Sequence, residues 1–363
     1  MKQFKTILSG GGTGGHIFPA LAIANAIRRE YDHAEILFVG AKGRMEMTHV
    51  PKAGFPIHGL WISGIQRRLT IQNLMFPLKL IFSLCRSYFI LKRFKPQLVI
   101  GTGGFASGPL LYMATRMKIP SLIQEQNAFP GITNRMLGNY VDSICVAHQE
   151  ALPYFPKHKT HITGNPLRAA LVPFTLRSKA ARIQMKLAQT KTTLLVVGGS
   201  LGSKRINELM ADYCTSITQM GVQIVWQCGS LYEKEFSPLQ KNNVYVTPFI
   251  EDMTTAYAAA DVIISRAGAL AVSELCQVGK AVLFIPSPNV AENHQYKNAM
   301  AIANKEAAVV IQEKELEHRF RSELDTLITD VKWRKKLGRN IKKLAKPNAT
   351  KSIVEQMNTL VND

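Results

Sequence analysis

The sequence predicts an α/β protein made of two Rossmann-like domains, each with a parallel sheet, facing a central cleft. Three observations carry that expectation. At 363 residues the chain is longer than a single hydrophobic core usually serves. Short apolar runs alternate with stretches of helical spacing, which is how parallel strands and crossover helices read in sequence. A strand, a glycine-rich turn and a helix open the chain near residue 6, and the same series opens again near residue 193.

The elements follow in order. A strand at 6–8 runs into Gly10-Gly11-Gly12-Thr13-Gly14-Gly15-His16 and then a helix over 20–29. Further strands are expected at 35–39, 97–100, 121–123 and 143–146. The stretch 166–192, with Pro173 and a basic helical segment, reads as the connection between halves. Strands at 193–197, 223–227, 244–246, 262–264 and 281–285 complete the second half. The expected division is 1–165, 166–345, and a C-terminal helix within 346–363 that packs back on the first domain.

Composition narrows the function classes. Hydrophobic residues make up 46% and charged residues 19%, ordinary for a globular protein with a real core. The five cysteines are scattered without a C-x-x-C pair, so they read as reduced thiols rather than disulfides or zinc ligands. Met1 leads directly into a strand, which predicts no cleaved leader. The net charge of +20 calls for an anionic partner. Between Glu46 and Glu125 there is no acid, while ten Lys or Arg occur. From Leu74 to Phe94 lies a dense apolar run, interrupted by Pro77, Lys79, Arg86, Lys92 and Arg93. It falls short of the ~18 apolar residues of a spanning helix. Such a segment suits an anionic membrane surface, with Leu80, Phe82 and Phe89 among the side chains that would meet lipid. A helix packed on a sheet with its basic side in water has the same pattern, and spacing alone leaves both readings open. No nucleic-acid motif or stacking platform appears, so nucleic acid is not an expected partner.

The glycine turns carry the chemistry. A strand feeding such a turn and then a helix leaves outward N–H groups at a helix head, a ready anion site. Gly10-x-Gly12-x-x-Gly15 matches the dinucleotide fingerprint, but the second strand ends Val39-Gly40-Ala41-Lys42 without the acid that holds a ribose. His16 and Ile17 replace the Lys-Ser/Thr pair of a P-loop, which argues against ATP hydrolysis. Two further turns, 101–108 and 198–203, fit a substrate carrying a diphosphate. There is no Asp-x-Asp, and His158-x-x-His161 lies in a Pro/Lys-rich loop, so no metal site is expected. His16, at the head of a helix, is the first candidate for a general base, and Glu125 is the alternative.

Several segments together resemble the MurG family of glycosyltransferases, family 28. They are Gly10 to Pro19, Gly101-Thr102-Gly103-Gly104-Phe105-Ala106-Ser107-Gly108-Pro109, Glu125-Gln126-Asn127, Thr163-Gly164-Asn165-Pro166-Leu167-Arg168, Gly198 to Gly202, and Arg266 to Glu274. They run in order over most of the chain. The resemblance implies a GT-B fold and inverting, metal-independent transfer of N-acetylglucosamine from its UDP donor (UDP-GlcNAc). The implied acceptor is undecaprenyl-diphosphate-linked N-acetylmuramyl-pentapeptide (lipid I) and the product lipid II, at the cytoplasmic face of the bacterial inner membrane. It implies no cofactor, and contacts with other cell-wall synthesis proteins.

The same resemblance assigns residues. Thr13, Gly14 and Gly15 are implied near the donor and the diphosphates, Asn127 on the transferred sugar, and Arg168 and Ser200 on the donor. Ile250 would offer backbone to the uracil. Ala269, Leu270, Ala271, Val272 and Ser273 would form the helix start under the UDP diphosphate. Glu274 would accept from the ribose hydroxyls, and Gln295 would reach the sugar. A related epimerase or glycolipid transferase is the nearest enzymatic rival, and an epimerase would need no lipid acceptor.

Overall fold

The computed structural model describes residues 4–64, 74–167, 171 and 174–362. The chain forms two compact units, one of Met1–Leu167 with Asn348–Asp363 and one of Arg168–Pro347. Each is built on a wholly parallel sheet.

The first unit runs β1 (Phe4–Gly10), α1 (Gly14–Glu30), β2 (Ala34–Ala41), α2 (Glu46–Lys52), β3 (Ile57–Leu60) and α3 (Phe76–Phe94). It continues β4 (Leu98–Gly103), α4 (Ser107–Arg116), β5 (Ser121–Glu125), α5 (Ile132–Leu137), β6 (Ser143–Val146) and β7 (Thr160–Ile162). The strand order is β3-β2-β1-β4-β5-β6-β7, reversing direction between β1 and β4. Every residue of β4, β5 and β6 is buried, because helices cover both faces of the sheet. α1 packs through Ile17, Ala20, Ala24 and Ile27 at three- and four-residue spacing.

α3 has an inverted pattern. Ser83, Ser87 and Leu91 face inward, and the packed helix beside them is α4. Leu74, Leu78, Ile81, Phe82 and Phe89 are exposed. Leu80 turns the other way and packs against the core, so it is not among the outward side chains. Among the described residues no helix is long and apolar enough to cross a membrane.

The second unit runs α6 (Ser178–Gln184), β8 (Thr193–Val197), α7 (Lys204–Gln219), β9 (Gln223–Gln227), α8 (Glu233–Phe236), β10 (Val244–Thr247) and α9 (Met253–Ala259). Then come β11 (Val262–Ser265), α10 (Ala269–Val278), β12 (Ala281–Phe284), α11 (His294–Ala303), β13 (Val309–Val310), α12 (Leu316–Thr329) and α13 (Val331–Lys343). Its sheet order is β10-β9-β8-β11-β12-β13, with the reversal between β8 and β11. α14 (Ala349–Asn362) then returns to the first unit. There Ile353, Val354 and Met357 join the core under α1, and Tyr31 Oη donates to Asn358 Oδ1 at 2.6 Å.

The ten strands expected from apolar runs are all present. Three were not anticipated: β3, β7 and β13, each at the edge of its sheet. An edge strand needs burial on one side only, so Ile57-His58-Gly59-Leu60 and Thr160-His161-Ile162 carry no continuous apolar run. The basic segment 178–184, read as connection, is a helix anchored inside the second unit. Buried Arg182 donates to the Ala259 and Gln189 carbonyls and pairs with Asp261 Oδ2 at 2.5 Å. Arg182→Ala is expected to lower the unfolding free energy by about 2 kcal/mol, below the full cost of stripping a buried pair because Asp261 is partly exposed. A reduced urea midpoint at unchanged slope would be the readout.

Candidate active site

In an open parallel sheet, ligands bind beyond the carboxyl ends of the strands where strand order reverses. In the first unit the loops leaving β1 and β4 at that point are the first two glycine turns. Gly10 pairs with Gly103 across a register shift, and Gly11 N–H donates to the Gly103 carbonyl at 3.3 Å. The turns touch backbone to backbone. A Cβ on Gly104, at φ +92°, would stand 2.3 Å from the Gly11 carbonyl oxygen, so only glycine fits there.

A buried carboxylate pins this arrangement. Glu46, in the first turn of α2, accepts from Gly12 N–H at 2.8 Å and Ala41 N–H at 2.9 Å. The first acid after β2 therefore serves the backbone of the glycine turn. Thr13 stands at the head of α1 without a side-chain capping bond, followed by Gly14 and Gly15. That leaves the helix head open to an anion.

His16 is half-buried in the first turn of α1, its Nδ1 2.9 Å from Gln126 Oε1. The other end of the Gln126 amide fixes the proton. Nε2 donates to the Thr102 carbonyl at 2.8 Å and the Gln124 carbonyl at 3.0 Å, both pure acceptors. Oε1 is thus the atom that meets His16, and Nδ1 carries the hydrogen. A neutral His16 then has its lone pair on Nε2, as a general base requires. Glu125 closes β5 in a different environment. It is 1% exposed, with Oε1 accepting from Asn127 N–H (2.9 Å) and Nδ2 (3.1 Å). Its Oε2 accepts from Gly131 N–H (3.1 Å) and Asn134 Nδ2 (2.8 Å). Its carboxylate orders the loop that presents Asn127. Beneath it, Gln124 Nε2 donates to Asn165 Oδ1 at 2.9 Å, and Asn165 Nδ2 to the Gln126 carbonyl at 3.0 Å.

The second unit repeats the topology with other chemistry. Beyond β8, Ser200 is exposed at the tip of the third glycine turn. Gly202, at φ +80°, lies so close to the next loop that a Cβ would fall 1.9 Å from the Cys228 carbonyl oxygen. Gln227 ties this turn to Ile250: Nε2 donates to the Gly199 carbonyl at 2.9 Å, and Oε1 accepts Ile250 N–H at 2.8 Å. Ile250 can therefore offer a ligand its carbonyl, not its N–H.

Beyond β11, Arg266 donates to Ser203 Oγ at 2.5 Å and the Ile285 carbonyl at 2.9 Å, and pairs with Glu313 at 2.6 Å. Gly268 then caps α10 without a side chain. Ala269, Leu270, Ala271, Val272 and Ser273 form the opening turns of α10, with Val272 directed into the core. Glu274 follows, nearly buried, its Oε2 accepting from Tyr257 Oη at 3.1 Å. Burial pushes the neighbouring Cys276 thiol up to about 12, so it stays protonated. Gln295, in the first turn of α11, accepts Ser287 N–H through Oε1 at 2.9 Å, leaving Nε2 as its donor. Just before it, Glu292 and Asn293 both hold left-handed conformations, φ +54° and +53°. Such strain collects at ligand sites. Arg168 lies outside the described residues. Among those described, no three His, Cys, Asp or Glu side chains converge as metal ligands.

Comparison with known proteins identifies the family. The profile of the glycosyltransferase family 28 N-terminal domain matches residues 6–146, and that of the C-terminal domain residues 193–357. The chain belongs to glycosyltransferase family 28. A protein of Christiangramia forsetii is 54% identical over 364 residues, covering 100% of both chains, and one of Flavobacterium psychrophilum 51% over 362 residues, covering 99% of both. Both bear the name UDP-N-acetylglucosamine–N-acetylmuramyl-(pentapeptide) pyrophosphoryl-undecaprenol N-acetylglucosamine transferase. The crystal structure of Acinetobacter baumannii MurG superposes with a TM-score of 0.79 at 28% identity, over 99% of this chain and 100% of that one. The two parallel-sheet Rossmann-like units are those of the GT-B class.

Within this family 28 framework, sequence reasoning passed over the residues that hold the loops: Glu46, Gln126, Gln227 and Arg266. Glu46 had one visible signal, as the last acid before a long acid-free stretch. Gln126 stood in the Glu125-Gln126-Asn127 segment without a role, and Gln227 had no signal, because a buried amide and a surface amide look alike in sequence. For His16 the geometry predicts a specific spectrum. In 15N-labelled protein, the neutral imidazole should show Nδ1 protonated and Nε2 bare, and Gln126→Met should abolish that preference. A wild-type His16 protonated on Nε2 would refute the assignment.

Proposed function

We propose that this chain transfers N-acetylglucosamine from UDP-N-acetylglucosamine to lipid I, forming lipid II for peptidoglycan synthesis. The observation that carries the proposal is full-length identity above one half to two proteins named for that reaction. The local chemistry supports it. An acceptor hydroxyl attacks the anomeric carbon in line, one C–O bond forms as the bond to UDP breaks, and the configuration inverts. The hydroxyl proton goes to His16 Nε2. The charge developing on UDP is met by the uncapped head of α10 and the turn at 198–203, fixed donors that need no reorganisation.

The division of labour follows. The first unit takes the acceptor, with Thr13, Gly14 and Gly15 on its diphosphate and Asn127 on the transferred sugar. The second takes UDP-GlcNAc: Ile250 through its carbonyl to the uracil, Glu274 to the ribose, Ser200 to the donor and Gln295 to the sugar hydroxyls. Glu125 supports Asn127, and His16 is the base.

A lipid-linked acceptor requires contact with a membrane, and α3 offers the surface for it. Leu78, Ile81, Phe82 and Phe89 lie on one exposed side of α3, with exposed Leu74 just before the helix and exposed Lys92 and Arg93 at its end. Apolar insertion flanked by cations is the chemistry of peripheral attachment to anionic lipid. The location is the cytoplasmic face of the inner membrane.

Three outcomes are expected. UDP release from UDP-GlcNAc depends on lipid I or a soluble analogue and is unaffected by EDTA; release without acceptor dependence would end the proposal. His16→Ala lowers kcat by about 10²–10⁴-fold while leaving the KM for UDP-GlcNAc within a small factor. Replacing Leu78, Ile81 and Phe82 with Ser weakens vesicle binding and preserves activity on the soluble analogue.

A further inference from the structure

A second charged surface lies in the other unit. α13 packs through Leu337, Gly338 and Ile341, and its fit is tight, since a Cβ on Gly338 would stand 2.8 Å from the Gly279 carbonyl oxygen. The opposite face carries only cations. Lys332, Lys335, Arg339, Lys343 and Lys346, just past the helix end, are all exposed, and none has an acidic partner among the described residues. Lys336 on the same face is held by Glu306 at 2.6 Å, and Lys342 donates to the Gln277 carbonyl. From 331 to 346 the chain has eight Lys or Arg and no acid.

The adjoining helix carries its arginines differently. On α12, Arg319 pairs with Glu315 at 3.2 Å and Glu323 at 2.9 Å, and Arg321 with Asp325 at 2.7 Å. Those arginines are neutralised within one turn, whereas the stripe on α13 is not. Unpaired like charges on successive turns repel one another, an arrangement that an external polyanion relieves.

We infer that the α13 stripe is a binding surface for the anionic headgroups of a lipid bilayer. The inference rests on the proposed function, under which this protein works at a membrane. Three features favour lipid over nucleic acid. Four of the five unpaired cations are Lys, hydrated point charges suited to a diffuse surface potential, where Arg would be chosen for bidentate phosphate contacts. The stripe lies along one straight helix about 20 Å long, without a groove to follow a strand. Among the described residues of α13 the one aromatic ring, Trp333, is half-buried against the core with Lys336 over it at 5.2 Å, so it offers no open face for base stacking. The contact is electrostatic and does not insert, unlike that of α3.

The test uses the full chain with the quadruple substitution Lys332→Gln, Lys335→Gln, Arg339→Gln and Lys343→Gln. Binding is measured by co-sedimentation with phosphatidylcholine vesicles, with and without phosphatidylglycerol, across a salt series. The expected result is at least ~10-fold weaker binding to the anionic vesicles and a shallower salt dependence. Binding to neutral vesicles and acceptor-dependent UDP release on a soluble analogue should stay at wild-type level. Unchanged affinity for anionic vesicles would overturn the inference. So would a variant that keeps vesicle binding but loses binding to a poly(U) probe, which would assign the stripe to nucleic acid. If the wild type releases no UDP on acceptor addition, yet binds anionic vesicles through the stripe, the proposed reaction fails and this surface stands.

Discussion

The first unit depends on a backbone contact. At the reversal of strand order, the turns after β1 and β4 approach so closely that Gly104 leaves no room for a methyl group beside Gly11. Two polar backbones pressed this closely together need their N–H groups accounted for. Glu46 supplies part of the answer as an internal anion, accepting from one residue of the turn and one of β2. Charge-assisted bonds of this kind are among the stronger ones available to a buried carboxylate, and they offset its loss of hydration. Gly12 is thereby committed to the protein, and the donors left for a ligand move to the head of α1.

From that contact the geometry of His16 follows. Thr102, on β4, donates through Oγ1 to the His16 carbonyl at 2.8 Å, which fixes the backbone of the histidine. Gln126 fixes its ring. Gln126 is itself held by Thr102, Gln124 and Asn165, so the orientation of one imidazole is decided by amides from three strands or their loops. A neutral amide partner orients the ring without placing a negative charge beside it, unlike the carboxylate of a serine-protease triad. The second unit also uses a glutamine, Gln227 at the end of β9, but to join two loops rather than to aim a side chain. One unit places an oriented imidazole beside an uncapped helix head, and the other an uncapped helix head alone.

Much of the fold was legible because parallel strands covered on both faces must be apolar throughout. The runs at 193–197 and 223–227 coincide with β8 and β9. The edges were not legible, since Thr160-His161-Ile162 pairs on one side only and its composition is that of a loop. For the site, the positions of the glycine turns could be read directly, because few other residues tolerate those conformations. Their supports could not. Gln126 and Glu46 acquire meaning only when strands remote in sequence become neighbours. The helix at 76–94 was a true ambiguity of pattern: Ser83 and Ser87, unremarkable in sequence, turned out to mark the buried side.

The return of α14 to the first unit has a consequence for how the protein is made. Ile353, Val354 and Met357 are buried against α1, a helix that leaves the ribosome more than three hundred residues earlier. Until the whole second unit has been translated, α1 lacks the part of its cover that α14 supplies, and about 1.5–3 kcal/mol per missing large side chain is withheld. The N-terminal unit therefore emerges first and matures last. Its completion waits on the synthesis of residues 168–347, which lie between its two segments.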